Sequence, residues 1–248
     1  MIHLKLLMLL LIFAVTLIAG ALPFYKKRSS QHFEFPAGEA IACGVFLGAG
    51  LIHMLGDAAS GFAAAGYQYP FAFLIAGSSF LILLWLEHLG QELETHHTGT
   101  TKSMALLATL MLSIHSLLEG TAVGISGNLL TAVVLAGAIL AHKWAASFAL
   151  ALQINKSDLG FKAGLGAFIV FAIMTPIGII LGEEALQGLG NLPLLTPIFS
   201  ALAAGTFLYI GTLHGLRRAI MIERCCNMRE FSLMLCGFGL MAVVAIWT

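Results

Sequence analysis

Long apolar runs, broken at short polar or glycine-rich intervals, follow one another along the whole chain. A hydrocarbon core about 30 Å thick is crossed by about 20 apolar residues in helix, because lipid offers the backbone amides no other partners. Runs of that length predict eight helices, roughly 3–24, 38–58, 70–90, 103–126, 129–153, 160–182, 194–216 and 230–247. The connections are too short for a second domain, so residues 1–248 are expected to form one all-α bundle. The first run has a rival reading. Lys5 precedes it and Ala19-Gly20-Ala21 resembles the cleavage site of a secretory leader. It is nevertheless long enough to span, and Lys26-Lys27-Arg28 follows as a stop signal would, so it is counted as the first helix.

Composition agrees with lipid as the solvent: 59% of the 248 residues are hydrophobic and 10% charged, with a mean hydropathy of +0.96. Acidic and basic residues balance at 12 each, so net charge points to no anionic partner, and nucleic-acid binding is excluded. The cysteines form no disulfide framework: Cys43 and Cys236 lie in apolar runs, Cys225 and Cys226 are adjacent, and all four are expected reduced. Charge distribution is more telling than its sum. Lys26, Lys27, Arg28, Lys102, Lys156, Lys162, Arg217, Arg218, Arg224 and Arg229 all fall in alternate connections. Basic residues are retained on the cytoplasmic side of short loops, which predicts both termini outside. Only Lys5 and Lys143 break the pattern.

Pro176 and Gly178 are expected to interrupt the sixth span. Gly44-x3-Gly48, Gly160-x3-Gly164 and Gly178-x3-Gly182 have the spacing that lets membrane helices approach closely.

Ionisable groups at mid-membrane cost several kcal/mol unless partnered, so each is a candidate for function. His115-Ser116-Leu117-Leu118-Glu119 places an imidazole and a carboxylate one turn apart on one helix face. His115 lies about 12 residues into the fourth span from one side and His142 about 13 into the fifth from the other, so their depths coincide. Two imidazoles and a carboxylate suit zinc or ferrous iron and leave coordination positions open, as transport requires. The bland alternative is a mutual hydrogen bond gluing helices together. Lys143 follows His142, and an ammonium there opposes a metal ion unless it stands where a second cation would otherwise sit. His53 and Asp57, again four apart, are entrance candidates toward the outer side. Glu87, His88 and His214 are exit candidates toward the cytoplasm. Helix ends tolerate polar groups, so each of these five is equally readable as an ordinary interfacial residue. His96-His97 is a weak cytoplasmic capture spot.

His115-Ser116-x2-Glu119-Gly120-Thr121-Ala122-Val123-Gly124, with His142-Lys143-x4-Phe148-Ala149-Leu150, resembles the paired signature of the ZIP (Zrt/Irt-like) metal transporters. Gly44-Val45-Phe46-Leu47-Gly48 running into His53-Met54-Leu55-x-Asp57, and Ala204-Gly205-Thr206-Phe207-Leu208-Tyr209, extend the resemblance over the whole chain. It implies import of zinc, or of iron, manganese or cadmium, by elevator-like alternating access, often as a dimer. It also implies that His115, Glu119 and His142 hold the metal and that Ser116 matches a second-site position. Lys143 occupies a second-site ligand position and Ala146 stands where a carboxylate or histidine would be. One metal site is therefore expected, with Lys143 mimicking the missing cation, as in the branch with His-Lys at this place. No prosthetic group is expected; zinc is the cargo.

The rival class is an intramembrane zinc-dependent hydrolase using the same His and Glu residues. The chain has no His-Glu-x2-His pair, and its extra polar groups are strung along a path. Compactness and the absence of a targeting sequence lead to the expectation of a bacterial inner membrane, with a eukaryotic plasma membrane or organelle as the alternative.

Overall fold

The structure, a computed structural model, describes residues 2–29, 35–93, 102–188, 194–212 and 228–247. Among these residues the chain is helical and has no strand. The helices are α1 (Ile2–Ser29), α2 (Pro36–Gly48), α3 (Leu55–Ala64), α4 (Phe71–Leu93), α5 (Lys102–Ile125), α6 (Leu129–Lys156), α7 (Phe161–Gly188), α8 (Leu195–Tyr209) and α9 (Met228–Val244). A π-helical segment, Ala49–Met54, joins α2 to α3 into one rod. Among the described residues, seven rods are long and apolar enough to cross a membrane, and α9, of 17 residues, is a further apolar helix. The chain is an integral, multi-pass helical membrane protein.

Local chemistry sets several ends. Pro36 opens α2, where a missing N–H costs nothing. Asn128 caps α6 by accepting the Leu130 N–H at 2.9 Å. Gly66, with φ +86°, turns the chain between α3 and α4 through a conformation that side chains disfavour. α1 continues past the expected Phe24 to Ser29 because Lys26, Lys27 and Arg28 are good helix formers even where hydropathy has ended.

The expected break at Pro176 and Gly178 is not there: α7 runs as one helix from Phe161 to Gly188 with Pro176 inside it. Neighbouring groups in a bundle compensate for a proline's lost hydrogen bond, so the ring alone does not end a membrane helix.

The chain divides into two compact units. Unit 1 comprises residues 1–33 and 86–190; unit 2 comprises residues 34–85 and 191–248. In unit 1, α5 and α7 touch backbone to backbone through Gly120, Gly124, Gly178 and Gly182. α1 lies on α6 and α7, with Met8 and Ile12 in an apolar cluster with Val123, Ala132, Ala136, Ile139 and Ile179. In unit 2, Gly44 and Gly48 admit the backbone of α9 at Met234 and Phe238, and Phe46 meets Phe207 with ring centroids 5.0 Å apart. The Gly160-x3-Gly164 spacing does not serve such an approach: Gly160 precedes α7 with nothing close, and Gly164 faces only the Ile154 side chain.

Candidate metal site

Every ligand expected at mid-membrane lies in unit 1. One helical turn of α5 puts His115 and Glu119 side by side, with His115 Nε2 2.8 Å from Glu119 Oε1. α6 brings His142 Nε2 to 2.5 Å from the same oxygen. The imidazole rings stand 6.0 Å apart, centroid to centroid. All three side chains are sequestered: His142 is 1% exposed, His115 5% and Glu119 11%. One donor atom from each lies within 4.8 Å of the other two.

The arrangement suits a divalent cation as cargo. Tetrahedral zinc, with bonds of about 2.0–2.1 Å, separates its ligand atoms by roughly 3.3 Å, which side-chain rotation reaches from the observed spacing. Glu119 Oε2 is buried and has no hydrogen-bond partner among the described residues, so the carboxylate retains acceptor capacity. Three ligands leave room for water or for exchange, unlike the closed four-ligand shell of a structural site.

Lys143, the chain neighbour of His142, reaches to α5 and α7. Its ammonium, 1% exposed, donates to Ser116 Oγ at 2.6 Å and Thr175 Oγ1 at 2.8 Å, and stands 4.5 Å from the centroid of the Phe171 ring. Two hydroxyls and a π face replace the water that a buried ammonium has lost. Ser116 Oγ thus faces Lys143. Thr175 and Phe171, one turn apart on α7, are residues the sequence reading missed; a hydroxyl beside Pro176 in an otherwise apolar run was the available signal.

The remaining candidates are dispersed. His53 Nδ1 lies 3.2 Å from Asp57 Oδ2 in unit 2, His53 buried in the π-helical segment and Asp57 half exposed on α3. Asp57 lines an open cavity of about 310 Å³ with Gly61, Ala64, Ala65, Thr196 and Pro197. Glu87 is half-buried and His88 exposed on α4. His214, His96 and His97 lie outside the described residues.

A family model, the ZIP zinc transporter, matches residues 90–245, most of the chain and all of the triad. The chain belongs to the ZIP family. Its similarity to individual members runs end to end. Zinc transporter ZIP2 of Mus musculus is 28% identical, with 96% of each chain covered. Zinc transporter ZIP2 of Homo sapiens is 27% identical, with 94% of each covered. Zinc transporter 11 of Arabidopsis thaliana is 27% identical over all of this chain and 86% of its own. These ZIP relatives are named as transporters and not as enzymes, which leaves the hydrolase reading without support.

Proposed function

We propose that this ZIP protein imports a divalent transition-metal ion, zinc foremost, into the cytoplasm through a site made by His115, Glu119 and His142. The observation that carries the reading is the convergence of three donor atoms from α5 and α6 within 4.8 Å, in an apolar bundle. A buried carboxylate between two imidazoles is costly to keep in lipid, and a cation that uses all three groups offsets that cost. Lys143 acts as a fixed charge beside the site. Held by Ser116 and Thr175, it stands in for a second ion, so a single metal is carried.

His53 and Asp57 serve as the entrance, because a half-exposed carboxylate at the mouth of a cavity concentrates cations from outside. Glu87, His88 and His214 serve the exit. Orientation with both termini outside follows from the ten basic residues in alternate connections. Iron, manganese and cadmium share enough ligand preference to compete with zinc.

Purified protein in metal-free liposomes, with a fluorescent zinc indicator inside, tests the reading. Saturable uptake by wild type and none by correctly inserted Glu119→Gln or His142→Ala is the expected result; equal uptake by all three overturns it.

A further inference from the structure

Lys5 is the second basic residue outside the alternate-connection pattern, and like Lys143 it is turned into the protein, only 4% exposed. Its ammonium donates to the Gly124 carbonyl at 2.7 Å and pairs with the Glu183 carboxylate. Gly124 lies in the last turn of α5, where carbonyls lack helical partners and the negative end of the helix dipole gathers. Glu183 adds a full negative charge from α7 and keeps 29% of its side chain exposed, so it remains open to ions. A carboxylate and a helix-end carbonyl are hard oxygen donors of the kind that bind metal cations. Along α5, Gly124 is five residues beyond Glu119, or about 8 Å.

The pair is not the sole attachment of α1. Met8 and Ile12 already anchor that helix in the apolar cluster of unit 1, and a buried ion pair is weak support for stability because both charges must first be desolvated. Its use is better sought in charge. An unpaired Glu183, whose backbone lies against Gly124 in the last turn of α5, would detain a divalent ion that ought to pass. We infer that Glu183 and the Gly124 carbonyl form a second, latent divalent-cation site, which the tethered Lys5 ammonium keeps filled so that the cargo binds at the triad alone. The inference rests on the triad being the transport site.

Zinc bound per purified chain, counted after removal of free metal, tests both statements separately. Wild type binds one ion and Glu119→Gln none; if Glu119→Gln still binds one, the triad reading fails whatever Lys5 does. Lys5→Gln, which is neutral and still able to donate, binds two ions. Its uptake shows a lowered KM and a kcat reduced several-fold. Lys5→Gln/Glu183→Gln returns to one ion and to within about twofold of wild-type uptake. A folded Lys5→Gln that binds one ion overturns the proposal. So does a Lys5→Gln that fails to fold, or a double variant with no recovered uptake, because each makes the pair a structural clasp.

Discussion

Gly120 of α5 and Gly178 of α7 lie backbone against backbone: a Cβ built on either would come to 3.0 Å from the Cα of the other. Gly120 follows Glu119 directly, so the closeness of these helices sets where the carboxylate stands. Without a hydrophobic drive between helices in lipid, such small-residue contact is a main source of association. Gly178→Val is expected to force α5 and α7 apart at a cost of about 1–3 kcal/mol or more. Melting of the purified protein in detergent should fall clearly, together with zinc affinity. Gly137→Ala, with nothing within 4 Å of its Cβ, is the control and should melt no lower than wild type, because alanine is the better helix former.

Removal of the Lys143 charge gives a separate expectation. Lys143→Met keeps much of the volume but leaves the Ser116 and Thr175 hydroxyls without their donor, costing about 1–3 kcal/mol for the unmade bonds. Loss of a positive charge beside the triad should also tighten zinc binding, by about tenfold for each 1.4 kcal/mol of repulsion removed. Zinc titration should therefore show tighter binding in a less stable protein, while uptake slows because release is hindered. Weaker binding would contradict the role given to this ammonium.

The triad was legible in sequence because its spacing is local: His115 and Glu119 share a helix face by periodicity, and His142 reaches their depth by counting residues across two spans. The eight apolar helices were legible for the same reason. What the pattern did not contain are contacts between distant segments. Thr175 stands 32 residues from Lys143 and Glu183 stands 178 from Lys5, and no periodicity announces either pairing. Lys5 and Lys143 were visible only as exceptions to the charge rule, which counts loop residues and is silent on a lysine folded inward. The π-helical turn carrying His53 was likewise unannounced, since one added residue per turn leaves the apolar run intact.

Acidification should inhibit uptake. Both imidazoles must offer a lone pair to the ion, so protons compete with metal, and affinity falls as pH falls. Initial uptake at fixed free zinc, measured in steps from about pH 7.5 to about pH 5.5, should drop with a rise in KM. Saturating zinc should restore most of the rate. A pH-independent KM would mean that the histidines do not bind the cargo.

Asp57→Asn isolates the entrance from the triad. Asp57 is 42% exposed and beyond the triad's own unit, so its charge is screened and its contribution to capture small, about 0.2–1 kcal/mol. KM for zinc should rise up to about fivefold with kcat unchanged, and the difference should shrink as ionic strength is raised from 10 mM toward about 1 M, because the Debye length contracts from about 30 Å to about 3 Å. A fall in kcat at constant KM would instead place Asp57 in the conformational step. No effect at low salt would remove it from the cation's path.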